Sequence, residues 1–121
     1  MLRSLILAAL LFASPALAQQ RAQVIDGDTI RVSGEVVRLM GLDAPEMRGR
    51  CPRENRLARA AAARLQQLVA GGVRLERHGR DRYRRTLAVV RDRTGRDVAV
   101  VLIREQLART YDGRGRRTGW C

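Results

Sequence analysis

"VIDGDTIRVSGEVVRLMGLDAPE", Val24 to Glu46, sets five carboxylates among β-branched runs in a chain rich in arginine. Besides Glu35, which opens a β-rich run, the acids are Asp26, Asp28, Asp43 and Glu46. Val24 to Val32 alternates as a strand does, and Gly27 supplies a bend or bulge within it. Ser33-Gly34 is a tight-turn signal. Glu35 to Leu42 is a second strand run, with Val37 and Leu39 on one face and Arg38 on the other. Ala44-Pro45 ends it, because proline has no N–H to give to a ladder.

Counting by twos puts Asp28 on the face of Ile30 and Val32, toward the core. A carboxylate there is costly unless it is paired or holds a cation. Asp43 falls just past the neighbouring strand, so strand pairing brings the two carboxylates near each other. Oxygen ligands without a nearby His or Cys select a hard ion, calcium or magnesium. Glu46 follows three residues later, in reach of a water at such an ion. Spacing alone also fits turn chemistry: Asp26 and Asp28 shaping a turn or pairing with arginines, Asp43 capping Ala44-Pro45, and Glu46 solvated. The later ligands of an EF-hand loop are missing.

Outward from this stretch, Arg53 to Ala70 reads as a helix, with Leu57, Ala61, Leu65 and Leu68 at helical spacing and Gly71-Gly72 as its stop. Val73 to Arg77 is a short strand, His78 to Arg84 a charged loop, and Thr86 to Arg91 a further strand. Thr94-Gly95 marks a turn, and Val98 to Arg109 a second helix. Tyr111 to Cys121 is a Gly/Arg-rich tail. The order predicts an α+β fold, mainly β, in which a small curled antiparallel sheet carries two packed helices. An OB-type barrel is one such architecture. No glycine-rich nucleotide fingerprint is present.

At 121 residues, one domain is expected. Met1 to Ala18 has the form of a secretory signal peptide: Arg3, an apolar Leu5–Phe12 core, and Ala16-Leu17-Ala18 before the cut. An uncleaved anchor is the alternative, for which the apolar run is short. Cleavage leaves 121 − 18 = 103 residues, a domain at 19–121. No later run is apolar enough to span a bilayer, so no stable membrane association is expected after cleavage. Export to periplasm or medium follows.

All 24 basic residues are arginine and 12 are acidic, for a net charge of +12. A surface this basic attracts polyanions, nucleic acid first. The all-arginine choice fits phosphate gripping, and it fits a GC-rich genome equally. Two cysteines, Cys51 and Cys121, in an exported chain point to one disulfide. Two free thiols or a metal pair are the alternatives, the latter poor with a single His.

Together, "VIDGDTI", "VRLMGLDAPE", "DRYRRTLAVV" and "DVAVVLIREQLAR" resemble the staphylococcal nuclease (thermonuclease) family, in its order and over most of Val24 to Tyr111. The resemblance implies a five-stranded OB-fold barrel with two packed helices. It implies a calcium-dependent nuclease hydrolysing DNA and RNA; the signal peptide makes it an exported one, the arginines predict little sequence specificity, and a monomer is expected. Asp28 and Asp43 match the calcium carboxylates, with the backbone carbonyl of Ala44 as a third ligand. Glu46 matches the residue that orients or deprotonates the attacking water. Arg38 and Arg85 match the phosphate-gripping pair, and Asp26 a residue supporting the site from behind. Tyr83 matches a tyrosine that contacts substrate phosphate, and Tyr111 a base-stacking one.

Three departures stand out. Arg84 replaces a glycine; if the position needs a positive φ, arginine costs about 1 kcal/mol there. Gln106 replaces another glycine, on what reads as an exposed helix. The chain ends without the family's final helix, and the disulfide is expected to take over its clamping. Two other classes compete: a noncatalytic OB module binding nucleic acid, and a cationic envelope-binding protein, which lacks an amphipathic basic helix.

Overall fold

The computed structural model describes residues 19–121; the expected signal peptide lies outside the described residues. Chain order is β1 (Ala22–Asp26), β2 (Thr29–Val32), β3 (Glu35–Leu39), β4 (Leu42–Asp43), α1 (Pro52–Val69), β5 (Arg74–Arg80), β6 (Thr86–Arg91), α2 (Val98–Arg104) and β7 (Arg109–Thr110). Five strands form one sheet in the order β1-β2-β3-β6-β5, and β4 pairs with β7 in a separate ribbon.

The single strand expected over Val24–Val32 is two strands. Its Asp26-Gly27-Asp28 segment is the hairpin turn itself, with Asp26 opposite Thr29 and a register shift between Val24 and Asp26. Gly27 is required by close approach: a Cβ there would meet the Cβ atoms of Ala44 and Ala61 at 3.0 Å. The turn is thus pressed against both the end of β4 and the face of α1. Ser33 (φ 49°) and Gly34 (φ 80°) make the next turn left-handed, matching the twist of the hairpin they close.

The architecture is α+β as expected, but two details of the sheet differ. β3 and β6 run parallel, with Arg38 opposite Leu87, so the sheet is not wholly antiparallel. Nor does it close into a barrel among the described residues. β5 also continues through His78 to Arg80, residues expected in a loop, because its pairing with β6 extends to Arg80–Thr86 across a register shift.

α1 starts behind Cys51, with Pro52 where a missing N–H costs nothing and Glu54 in the first turn. Its buried face is Glu54, Ala58, Ala61, Leu65, Leu68 and Val69, one stripe at helical spacing. Its apolar members and Ile30, Val32, Val37, Leu39, Leu42, Val73, Val90, Val98 and Leu102 make the core, which is aliphatic. Each large side chain withdrawn from water contributes about 1.5–3 kcal/mol.

α2 is capped by Asp97, whose side chain accepts from the Ala99 N–H at 2.9 Å. It ends at Arg104, five residues before the expected Arg109. Leu107 N–H reaches back to Leu102 O, and Gln106 stands at φ 61°. Gln106 therefore occupies the left-handed position that terminates a helix, the place glycine fills best, and not an exposed helical site. The cysteines are bonded: Cys51–Cys121 joins the C-terminus to the start of α1 across a sequence separation of 70.

Candidate active site

The acids arrive from two turns. Asp28 leaves the β1–β2 turn buried, Thr29 Oγ1 donates to its Oδ1 at 2.8 Å, and its backbone carbonyl accepts from the Leu39 N–H at 2.9 Å. That second bond fixes the turn to β3. Asp43 ends β4 and is buried, as is Ala44 after it, against Gly27. Glu46 follows Pro45 into solvent, its side chain 56% exposed. Asp26 sits behind Asp28 and accepts from the Asp28 N–H at 3.2 Å. Burial, with the Asp28 and Glu46 carboxylates nearby, pushes the Asp26 carboxyl up to about 7.

Arg38 is buried with them, which accounts for the burial of both faces of β3. Its Nη1 donates to Leu39 O at 2.6 Å and its Nη2 to Leu42 O at 2.9 Å. Nη2 is also 3.4 Å from Asp28 Oδ2. Two backbone carbonyls therefore set the plane of the guanidinium, and the Asp28 contact faces the acids.

Arg85 stands on the loop before β6. Asp81 organises that loop: its Oδ1 accepts from the Tyr83 and Arg85 N–H groups at 2.9 Å each, and its Oδ2 from Arg85 Nε at 2.6 Å. Burial pushes the Asp81 carboxyl up, but the Arg85 guanidinium and these N–H donors bring it net down. Arg84 is at φ 64°, so the position is indeed a glycine-type one and arginine is strained there. Asp81 nonetheless fixes Arg85 on both sides of it. Tyr83 is 64% exposed; the guanidinium carbons of Arg82 and Arg85 lie 4.8 and 5.4 Å from its ring centre.

A cleft of about 770 Å³ brings Arg38, Tyr83, Arg85 and Tyr111 together. Tyr111 is held there by its N–H to Gly41 O and its hydroxyl to Gly115 O, both 3.0 Å. Asp28, Asp43 and Glu46 are not among its lining residues. The link is Arg117, which lines the cleft and also reaches Asp43 Oδ1 at 3.1 Å and Glu46 Oε1 at 3.5 Å.

Neither Asp81 nor Arg117 stood out in the sequence. Asp81 opens "DRYRR", and an aspartate before a short loop is the available signal for a side chain that ties backbone N–H groups. Arg117 carried none: it is one of three arginines in a tail whose path depends on the disulfide.

The donor set suits a hard cation. It consists of oxygen atoms only, from two buried carboxylates whose present partners are themselves cations, Arg38 and Arg117. Among the described residues no three or more His, Cys, Asp or Glu side chains converge as a cation-holding group. An ion here would rest on Asp28, Asp43, main-chain oxygen and water.

Residues 36–119 match the family of staphylococcal nuclease homologues. A curated relative, the succinoglycan biosynthesis protein ExoI of Rhizobium meliloti (strain 1021), is 38% identical over 103 residues, covering 77% of this chain. The chain spans about half of that relative's length, 54%.

Proposed function

The chain belongs to the family of staphylococcal nuclease homologues, and on that premise we propose that it hydrolyses phosphodiester bonds of DNA and RNA with calcium, with little sequence specificity. One observation carries the reading. Arg38 and Arg85, which demand an anion, share a cleft that Arg117 joins to acids that demand a cation.

Asp28, Asp43 and the Ala44 carbonyl would hold the ion. When bound, calcium supplies positive charge at the scissile phosphate that offsets the charge gained as water adds to phosphorus. Arg38 is oriented by Leu39 O and Leu42 O before substrate arrives, so it stabilises that charge without reorganising. Arg85 uses Nε for Asp81, which leaves its Nη groups to donate to phosphate oxygens. Glu46, open to solvent beside the acids, orients or deprotonates the attacking water. Asp26 supports the site from behind Asp28. Tyr83 contacts a phosphate, and Tyr111 offers a ring to a base.

The charge of +12 supports binding to the backbone with salt sensitivity and without sequence readout. Export by residues 1–18, to periplasm or medium, and action as a monomer belong to the same proposal. Among the described residues no helix is long and apolar enough to cross a membrane.

A second reading, a noncatalytic nucleic-acid binder, draws on one observation: Arg117 already pairs with Asp43 and Glu46. The test that separates them is degradation of single-stranded DNA. The proposal expects cutting with calcium that stops with chelator; DNA that is bound but never cut under any divalent ion leaves the binder. The relative's name concerns succinoglycan biosynthesis, and no feature of this cleft supports carrying that role over.

A further inference from the structure

A guanidinium stands where the acids would take their ion. Arg117 Nη1 contacts Asp43 Oδ1 at 3.1 Å and Glu46 Oε1 at 3.5 Å. Arg117 comes from the tail beyond β7, which is fastened on both sides of it. On one side Tyr111 N–H bonds to Gly41 O and its hydroxyl to Gly115 O. On the other, Arg109 Nη1 donates to Thr118 O at 3.2 Å and Gly119 O at 2.8 Å, and its guanidinium lies 3.8 Å over the Trp120 ring. Cys121 is then bonded to Cys51. The arginine is delivered by a strap, not by a free end.

We infer that Arg117 is a built-in competitor for the cation site: it pairs with Asp43 and Glu46 in the ion-free protein and must give up Asp43 before a divalent ion can be held there. The inference rests on the calcium reading above. Two positive charges at one carboxylate oxygen repel, so guanidinium and ion do not share Asp43 at full occupancy. In the ion-free state the guanidinium offsets the mutual repulsion of the acids, which lowers what the ion has left to gain. A group tethered this closely acts at an effective concentration in the millimolar range, so the ion is expected to bind weakly until Arg117 is removed. A divalent ion wins at sufficient concentration because it carries twice the charge and approaches carboxylate oxygens more closely than a guanidinium does.

Calorimetric titration of calcium chloride into the full chain tests this with no reference to cutting. Three proteins are compared: the wild type, Arg117→Gln, and Arg116→Gln, which removes the same charge one residue away. Arg117 is half-exposed, and an unchanged melting temperature confirms that the variant folds. The expected result is a Kd lowered by about tenfold or more in Arg117→Gln and by less than about twofold in Arg116→Gln. Calcium binding by Arg117→Gln that is no tighter than wild type overturns the inference while leaving the calcium reading standing. An equal gain in Arg116→Gln also overturns it, since net charge and not the contact would then be responsible. No calcium binding by any of the three overturns the calcium reading, and the competitor with it.

Discussion

Two aspartate-led turns in this molecule treat their carboxylates in opposite ways. Asp92, before α2, is buried and fully engaged: its Oδ1 accepts from Thr94 N–H, Thr94 Oγ1 and Arg96 N–H, and its Oδ2 from Arg96 Nε, all within 3.0 Å. Burial pushes that carboxyl up, but the donors outweigh it and hold it at about 2. Asp26, where β1 enters its turn to β2, has the Asp28 N–H and little else, and burial, with Asp28 and Glu46 beside it, pushes it up to about 7. The first turn is finished as structure. The second is unfinished: among the described residues Asp26 makes no ion pair, while Asp28 has Arg38, and the neighbouring Asp43 and Glu46 share Arg117. In an arginine-rich protein that could have paired every acid, this imbalance marks the site.

Substitutions can break the contrast from either side. The largest effect is expected at the site: Arg85→Ala lowers the rate of single-stranded DNA cleavage by about 10²–10³-fold with the melting temperature little changed, since Arg85 is a loop residue whose contacts are the nearby Asp81 carboxylate and the exposed Tyr83 ring. Asp92→Ala does the reverse. It strands four donors and costs about 3 kcal/mol in urea unfolding, while cleavage by the folded fraction is unchanged. A large loss of cleavage in folded Asp92→Ala, or a large loss of stability in Arg85→Ala, would erase the distinction.

The smaller effects sharpen it through pH. Asp26 is raised from 3.8, so its contribution to stability is present below that pH and lost as pH rises through about 7. Asp26→Asn is therefore expected to stabilise the fold at about pH 8, on the order of 1 kcal/mol, with the gain gone by about pH 4. Asp92 is lowered from 3.8, so its contribution is present above that pH and lost as pH falls through about 2. Asp92→Asn should be destabilising at neutral pH, by an amount that shrinks in acid. Smallest of all, Arg84→Gly relieves the φ of 64° and is expected to stabilise by up to about 1 kcal/mol, read as a higher urea midpoint.

The contrast also explains what the sequence could disclose. Core positions such as Ile30, Val37 and Leu65 were legible because period-two and helical spacing register burial directly. Asp28 was legible as a buried acid by the same count, and the family resemblance supplied its companions. The hairpin at Gly27 was not: alternation continued across it, and the need for glycine there comes from Ala44 and Ala61, distant in sequence. The early end of α2 was hidden because a Gln at 106 looks helical, whereas Leu107 is drawn back to Leu102. The parallel β3–β6 pairing and the path of Arg117 are set by tertiary closure, which no local pattern encodes.

The central claim is that the acids around Asp28 and Asp43 are held together to receive a divalent ion. The direct measurement is the melting temperature of the full chain against calcium concentration, for the wild type and Asp43→Asn. A site of millimolar Kd at about tenfold saturation adds roughly 1.4 kcal/mol, a rise of about 5 °C for a domain of this size. The account predicts that rise in the wild type and its loss in Asp43→Asn. A wild type whose melting temperature does not move with calcium, or a variant that responds as the wild type does, would contradict it.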